Sequence, residues 1–312
     1  MTDWLLRFFV KDYSSIKDPG VRKSVGSFAG WVGIFINLIL VAGKVSVGLV
    51  SGSIAVVADG LNNLMDAAGS IITIVGFKMA AKKADEEHPY GHGRYEYIAG
   101  LAIAVLVLVV GIELAKAGIA EILEPSFVDF GPAVLVILVV SVVVKAWMAI
   151  FYNTLSVRID SLALKAVAMD SRNDALATGA VLFGAVVANF TGLSLDGWAG
   201  LGVAIFIIYN GIGLVRDTIS PLVGEAPTEE YVDYLSEKIS AYDGVLGIHD
   251  LIIHDYGPDK RYVSAHVEMP SDRDPLITHE IIDSIERELL ETDRIHAIIH
   301  YDPVATDGWH DE

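Results

Sequence analysis

Six apolar stretches, near residues 28–50, 54–80, 95–121, 131–155, 164–190 and 196–218, constrain this chain more than any other feature. Each is long enough to cross the ~30 Å hydrocarbon core of a bilayer, which takes about 20 helical residues, with some tilt. Hydrocarbon offers the backbone no partner, so such stretches fold as helices that satisfy their own N–H and C=O groups. The links SGS, between the first two, and TGLSLD, between the last two, are short enough that each pair is expected to form an antiparallel hairpin. Basic residues fall on alternate links: Lys78, Lys82, Lys83 and Arg94 after the second span, Arg158 and Lys165 after the fourth, and Arg216 at the end of the sixth. The opposite links carry Glu121, Glu124, Asp129 and Asp196, with no Lys or Arg. The excess of positive charge on one side predicts that both termini are cytoplasmic.

Two of the stretches are interrupted by acids. SIAVVADGLNNLMDAAGS carries Asp59, Asn62, Asn63 and Asp66, and AVAMDSRNDALATGAV carries Asp170 and Asp174. A carboxylate at membrane depth costs about 2.5–3.5 kcal/mol on insertion scales and calls for a partner. Asp59 and Asn63 are four residues apart, as are Asp170 and Asp174, so on helices each pair presents its oxygens on one face. Four such side chains from two helices can close around one cation, and protons compete for the same oxygens, which is a physical basis for metal/proton exchange. Interhelical hydrogen bonding or a water-filled pore lining is the purely structural alternative. Asp66 lies on the same face, a turn beyond Asn63, and is open to two roles: a ligand or relay in place of Asn63, or a separate structural acid. Arg172 lies roughly opposite Asp170 around the helix and is expected to leave the site. Lys44 and Lys145 also fall within spans, and snorkelling towards an interface is the expectation for both, with pairing to an acid the alternative for Lys145.

Two further groups have metal-ligand chemistry. DEEHPYGHGRYE holds Asp85, His88, His92 and Glu96; Pro89 and Gly91 favour a loop, in which Asp85 and the two histidines either bind a cation or form a polar turn that orients the third span. Beyond Pro221 and Pro227 no spanning run remains, and helix (TEEYVDYLSEKISAY), strand (LGIHDLIIHDYG), strand (KRYVSAHVEMP), helix (LITHEIIDSIERELLET) and strand (IHAIIHYDP) follow. This order predicts a small open sheet with helices on one face. It gathers His249, His254, His266, His279, His296, His300 and Asp302, most of the chain's 9 histidines. A domain of this size has no deep core, so dimerisation or metal would help stabilise it.

Composition narrows the function. With no cysteine, any metal is held by oxygen and nitrogen ligands, and the net charge of −18 disfavours nucleic acid. The start MTDWLLRFFVKDYSS has charges too early for a cleavable signal peptide; MTDWLLRFFV reads as either a surface amphipathic helix or part of a basic tail. The expected organisation is a cytoplasmic N-terminal tail over 1–27, a six-helix transmembrane transport domain over 28–220, a cytoplasmic metal-binding dimerisation domain over 221–305, and a disordered tail over 306–312.

The acidic motifs of the second and fifth spans, the HPYGHGRYE loop and the ending IIHYDP together resemble the cation diffusion facilitator family over nearly the whole chain. The resemblance implies an α-helical membrane protein with six transmembrane helices and a C-terminal cytoplasmic α+β ferredoxin-like domain. It further implies a homodimer in a bacterial or archaeal inner membrane that exports a divalent metal in exchange for protons by alternating access. Carried over by position, the transport site falls on Asp59, Asn63, Asp170 and Asp174, with Asp66 as a possible addition. The loop site falls on Asp85, His88 and His92, and the cytoplasmic site, which bridges two metals, on His249, His266, His279, His300 and Asp302. Zinc exporters of the family usually place His at the position of Asp170 and Asp at that of Asn63. Oxygen-only ligands suit harder ions, so the expected cargo is Mn²⁺, with Fe²⁺ and Zn²⁺ next. Competing readings are a monovalent cation/proton antiporter using the same acids and a membrane-anchored metal sensor. A membrane metalloenzyme is disfavoured because no HExxH helix is present.

Overall fold

The computed structural model describes residues 19–51, 54–124, 131–191, 196–258 and 260–305. The expected amphipathic segment MTDWLLRFFV, residues 52–53 and 192–195 of the two short interhelical links, and the tail 306–312 lie outside the described residues. The chain divides into two compact units, Met1–Ile219 and Ser220–Glu312.

The first unit holds six helices of 27 to 33 residues: α1 (Pro19–Ser51), α2 (Ile54–Ala80), α3 (Tyr95–Leu123), α4 (Pro132–Arg158), α5 (Leu162–Thr191) and α6 (Asp196–Val223). Among the described residues four of these, α1, α3, α4 and α6, are long and apolar enough to cross a membrane. The other two are the helices that carry the acids. α1 begins at Pro19, earlier than the expected span, because Arg22 is buried in the unit rather than solvated in a tail. α6 runs through Pro221 and stops before Gly224, whose φ of +110° ends the helix at little steric cost. The proline therefore lies inside the last turn instead of marking the exit.

Close approach of small residues sets the pairing. A Cβ at Gly26, Gly30 or Gly33 of α1 would overlap Phe77, Ile74 or Ser70 of α2, and Gly60 of α2 meets Lys44 and Val45 of α1. One register rises as the other falls, so α1 and α2 form the expected antiparallel hairpin. Gly100, Gly111 and Gly118 of α3 meet Thr218, Ile207 and Leu201 of α6 in the same antiparallel sense. Inside the bundle, Tyr152, Phe151, Met148 and Leu155 of α4 pack with Ala29, Phe77, Ile103 and Leu164. Tyr152 is fully buried and donates to the Ala29 carbonyl at 3.1 Å. Apolar side chains such as Trp31, Phe35, Ile112, Val143 and Ile212 point outward. On a soluble protein such a belt would be an association hazard; on these helices it is lipid-facing surface.

The second unit follows the expected element order: α7 (Glu229–Ser240), β1 (Gly247–Asp255), β2 (Arg261–Pro270), α8 (Pro275–Asp293) and β3 (Ile295–Val304). Thr228 and Asp274 cap the two helices by accepting from Tyr231 N and Leu276 N. The sheet order is β1-β2-β3, with β1 antiparallel and β3 parallel to β2. Alternation along β2 buries Val263, Ala265, Val267 and Met269. Against that face pack Leu235 and Ile239 of α7 and Ile282, Ile285 and Leu289 of α8. The opposite face carries the residues in between, His266 among them. Register places His249, His266 and His300 in one rank across the three strands, with Glu268 beside Asp302.

Candidate metal sites

The membrane unit brings its charged side chains together in two groups. On α2 and α5, Asp66, Asp170 and Asp174 each offer a carboxylate oxygen, and these oxygens lie within 4.8 Å of one another. Lys145 of α4 donates to Asp66 Oδ2 at 2.6 Å and to Asp174 Oδ2 at 2.7 Å. In the second group, Lys44 of α1 sits 2.7 Å from Asp59 Oδ2 and donates to Asn63 Oδ1 at 3.2 Å. The four residues expected to close around one ion are thus divided. Asp170 and Asp174 stand with Asp66, while Asp59 and Asn63 face Lys44. A cavity of about 480 Å³ connects the two groups, lined by Lys44, Asp59, Asn62, Asn63, Lys145 and Asp174, among others.

Neither lysine snorkels. Lys44 and Lys145 are 1% and 2% exposed, well inside their helices, and their amines end on carboxylates of the neighbouring helix. Removing an ion from water costs several kcal/mol, and a facing carboxylate offsets that cost more locally than a stretch to the interface. For Lys145 this is the alternative that the sequence left open, pairing to an acid; for Lys44 no pairing was expected. Asn62 was also passed over as a ligand; it lines the cavity and lies one helical turn before Asp66. Arg172 does leave the cluster, with its guanidinium over the Phe206 ring at 5.4 Å from the centroid.

The loop between α2 and α3 collects Asp85, His88 and His92 as expected. Asp85 Oδ1 accepts from the His88 backbone at 2.7 Å, and the His92 Nε2 lies 3.5 Å from Asp85 Oδ2. The backbone N–H of His88 and then the nearby imidazoles hold the Asp85 carboxyl below the usual carboxylate range. His92 is buried with Nδ1 at 3.1 Å from the Lys83 carbonyl, which leaves Nε2 facing the carboxylate. With Nδ1 held at that carbonyl, Nε2 is the ring nitrogen placed to ligate a metal. Glu96 does not join this group. It is buried in the first turn of α3 and takes two hydrogen bonds from Arg22, at 2.9 and 3.2 Å.

In the second unit Asp302 is the centre of a cluster on the open face of the sheet. Its Oδ2 is 3.0 Å from both His249 Nε2 and His266 Nδ1, and its Oδ1 is 3.3 Å from His300 Nε2. The hydrogen bond from His266 and the surrounding imidazoles keep its carboxyl below the usual range. His279 is not brought to this cluster. It is exposed on α8, 3.4 Å from Asp283, and α8 packs on the other face of the sheet. His254 and His296 are in register with Tyr262, one end of the sheet away, and the His296 ring stacks on Tyr262.

A family model described as the cation efflux transmembrane domain matches residues 30–223, and one described as the cation efflux protein cytoplasmic domain matches residues 227–304. The chain belongs to the cation efflux, or cation diffusion facilitator, family. Cation efflux proteins are membrane transporters, and this one is not an enzyme. An uncharacterised transporter of Methanocaldococcus jannaschii is 30% identical over 269 residues, covering 86% of this chain and 95% of that protein. The cation-efflux pump FieF of Klebsiella pneumoniae is 28% identical over 262 residues, covering 81% of this chain and 84% of the pump. That of Pectobacterium carotovorum is 28% identical over 273 residues, covering 86% and 90%. The three clusters therefore sit on a cation efflux scaffold, one within the transmembrane domain, one on its α2–α3 loop and one in the cytoplasmic domain.

Proposed function

We propose that this transporter moves a divalent metal cation out of the cytoplasm in exchange for protons, by alternating access at the carboxylate cluster of α2 and α5. The observation that carries the reading is the convergence of Asp66, Asp170 and Asp174 beside a cavity, on two helices that are otherwise apolar. In this account α2 and α5 span the membrane with the other four helices, both termini are cytoplasmic, and Asn62 adds a fourth oxygen to the three acids. Asp59 and Asn63 then line the path rather than hold the ion. An all-oxygen donor set favours Mn²⁺, with Fe²⁺ and Zn²⁺ next, because imidazole and thiolate suit softer ions. A proton binds the same oxygens as the metal, so release of one and uptake of the other compete at one place. The Asp85–His88–His92 loop and the His249–His266–His300–Asp302 face of the ferredoxin-like domain act as accessory metal sites, the latter in a homodimer. The name of the FieF relatives, cation-efflux pump, supports the direction of transport.

Transport in proteoliposomes tests this. With an outward metal gradient, Mn²⁺ is expected to drive counterflow of protons, and Asp66→Asn or Asp174→Asn to abolish it. Sodium-driven flux that ignores Mn²⁺ would favour the monovalent antiporter instead. Full transport by both variants would remove the cluster from the mechanism.

A further inference from the structure

The transport reading uses the carboxylates but gives no role to the amine lodged between them. Lys145 stands midway along α4, with its side chain 3% exposed, and its Nζ is 2.6 Å from Asp66 Oδ2 and 2.7 Å from Asp174 Oδ2. Divalent cations of this class bind carboxylate oxygens at about 2.0–2.6 Å, so an ion held by both Asp66 and Asp174 needs the position that the ammonium holds. Two cations cannot use the same pair of oxygens at once. We infer that Lys145 is a tethered counter-cation: it fills the ion site between transport events, has to be displaced for a metal to load, and so sets the affinity of the site.

The surroundings fit that role. Lys145 itself lines the 480 Å³ cavity, whose largely apolar wall also carries Asn62, Asn173 and Thr178, so a displaced amine has room to move and polar groups to meet. Lys44 provides an internal contrast. It is equally buried, but its partners are Asp59 and Asn63, outside the three-carboxylate cluster. A helix bundle that merely had to neutralise buried acids would be served by either arrangement. Only Lys145 competes with the ion for its ligands. For an exporter the consequence is directional: an amine that returns to Asp66 and Asp174 as the ion departs opposes rebinding. It also spares the empty site from holding three carboxylates with no cation among them.

The inference rests on the cluster being the transport site, and the test separates the two. Mn²⁺ binding to the purified full-length protein is measured by titration calorimetry at one fixed pH, for wild type, Lys145→Met, Lys145→Gln, Lys44→Met, Asp66→Asn and Asp174→Asn. Removing the competing amine is expected to tighten the membrane-site Kd at least about tenfold, with Lys44→Met close to wild type and both Asp variants lacking that binding event. Unchanged or weaker binding in the Lys145 variants, with the event still lost in the Asp variants, overturns the inference and leaves the transport reading standing. Binding that survives in both Asp variants overturns the transport reading itself. If the Lys145 variants do not fold, wild type decides through reductive methylation mapped by mass spectrometry. Saturating Mn²⁺ should raise labelling of Lys145 severalfold and leave Lys44 unchanged; equal labelling of Lys145 with and without Mn²⁺ refutes displacement.

Discussion

Replacing Arg22 by alanine is expected to destabilise the membrane unit severely, although Arg22 belongs to none of the three clusters of metal-ligand chemistry. Its guanidinium makes two hydrogen bonds to Glu96 of α3, one to the Ile159 carbonyl, and one of 3.0 Å to the Asp160 carbonyl. Asp160 holds a φ of +45°, a conformation that needs such outside support. One side chain thus ties α1 to α3 and to the turn between α4 and α5. With side-chain exposures of 9% and 2%, neither member of the pair is rehydrated when the other is removed. Breaking a buried pair from one side costs about 3–5 kcal/mol, because the remaining charge is left without a partner. For a unit of this size 1 kcal/mol shifts the melting temperature by about 2–4 °C, so Arg22→Ala should lower it by roughly 6–20 °C. The assay is thermal unfolding of the purified full-length protein, followed by loss of the monodisperse peak in size-exclusion chromatography. Arg22→Met with Glu96→Met should recover most of the loss, since an apolar pair leaves no buried charge. Arg22→Ala melting within about 2 °C of wild type would refute the reasoning.

Other consequences are equally direct. Asp59→Asn should retain substantial Mn²⁺ transport in proteoliposomes while Asp66→Asn abolishes it; the reverse order would return the ion to the Asp59 group. Leu235→Ala should cost the cytoplasmic domain about 2–5 kcal/mol in denaturant unfolding, because the side chain is fully buried between α7 and the sheet. Burial and then the hydrogen bond to Glu288 push the Tyr242 hydroxyl up to about 12. A raised value means that its contribution is complete below pH ~10, the unfolded value, and is lost as pH rises through the folded one. Cytoplasmic-domain stability should therefore fall between these limits, with a shallower fall in Tyr242→Phe; parallel curves would exclude this cause.

Much of the architecture is readable in the residues, because lipid imposes the same demand on every span. Apolar length gives α1, α3, α4 and α6 outright and the acid-bearing α2 and α5 less plainly, and the period-two pattern around Val263, Val267 and Met269 gives β2 with its buried face. Helix starts are less legible: α1 reaches back to Pro19 because Arg22 has a partner on α3, a fact with no local signal. The carboxylate cluster was half legible. Asp59 with Asn63 and Asn62 with Asp66 are both four apart, and a three-residue step turns a helix by only about 60° from the same face, so spacing cannot choose between them. What chooses is the partner helix, through Asp170 and Asp174. Snorkelling, the first expectation for both lysines, fails for the same reason, although pairing was the stated alternative for Lys145. Snorkelling is a property of one helix and a membrane, whereas Lys44 and Lys145 answer to acids on a neighbouring one. His279 lies apart from the cluster within this chain for another reason: its spacing from the strands says nothing about which face α8 covers.

The most direct test of the central claim is to locate the ion. Crystals or particles of the full-length protein loaded with Mn²⁺ should show a metal peak, with anomalous signal at the manganese edge, bounded by Asp66, Asp170 and Asp174. A peak between Asp59 and Asn63, or metal confined to the loop and cytoplasmic clusters at saturating Mn²⁺, would contradict the account.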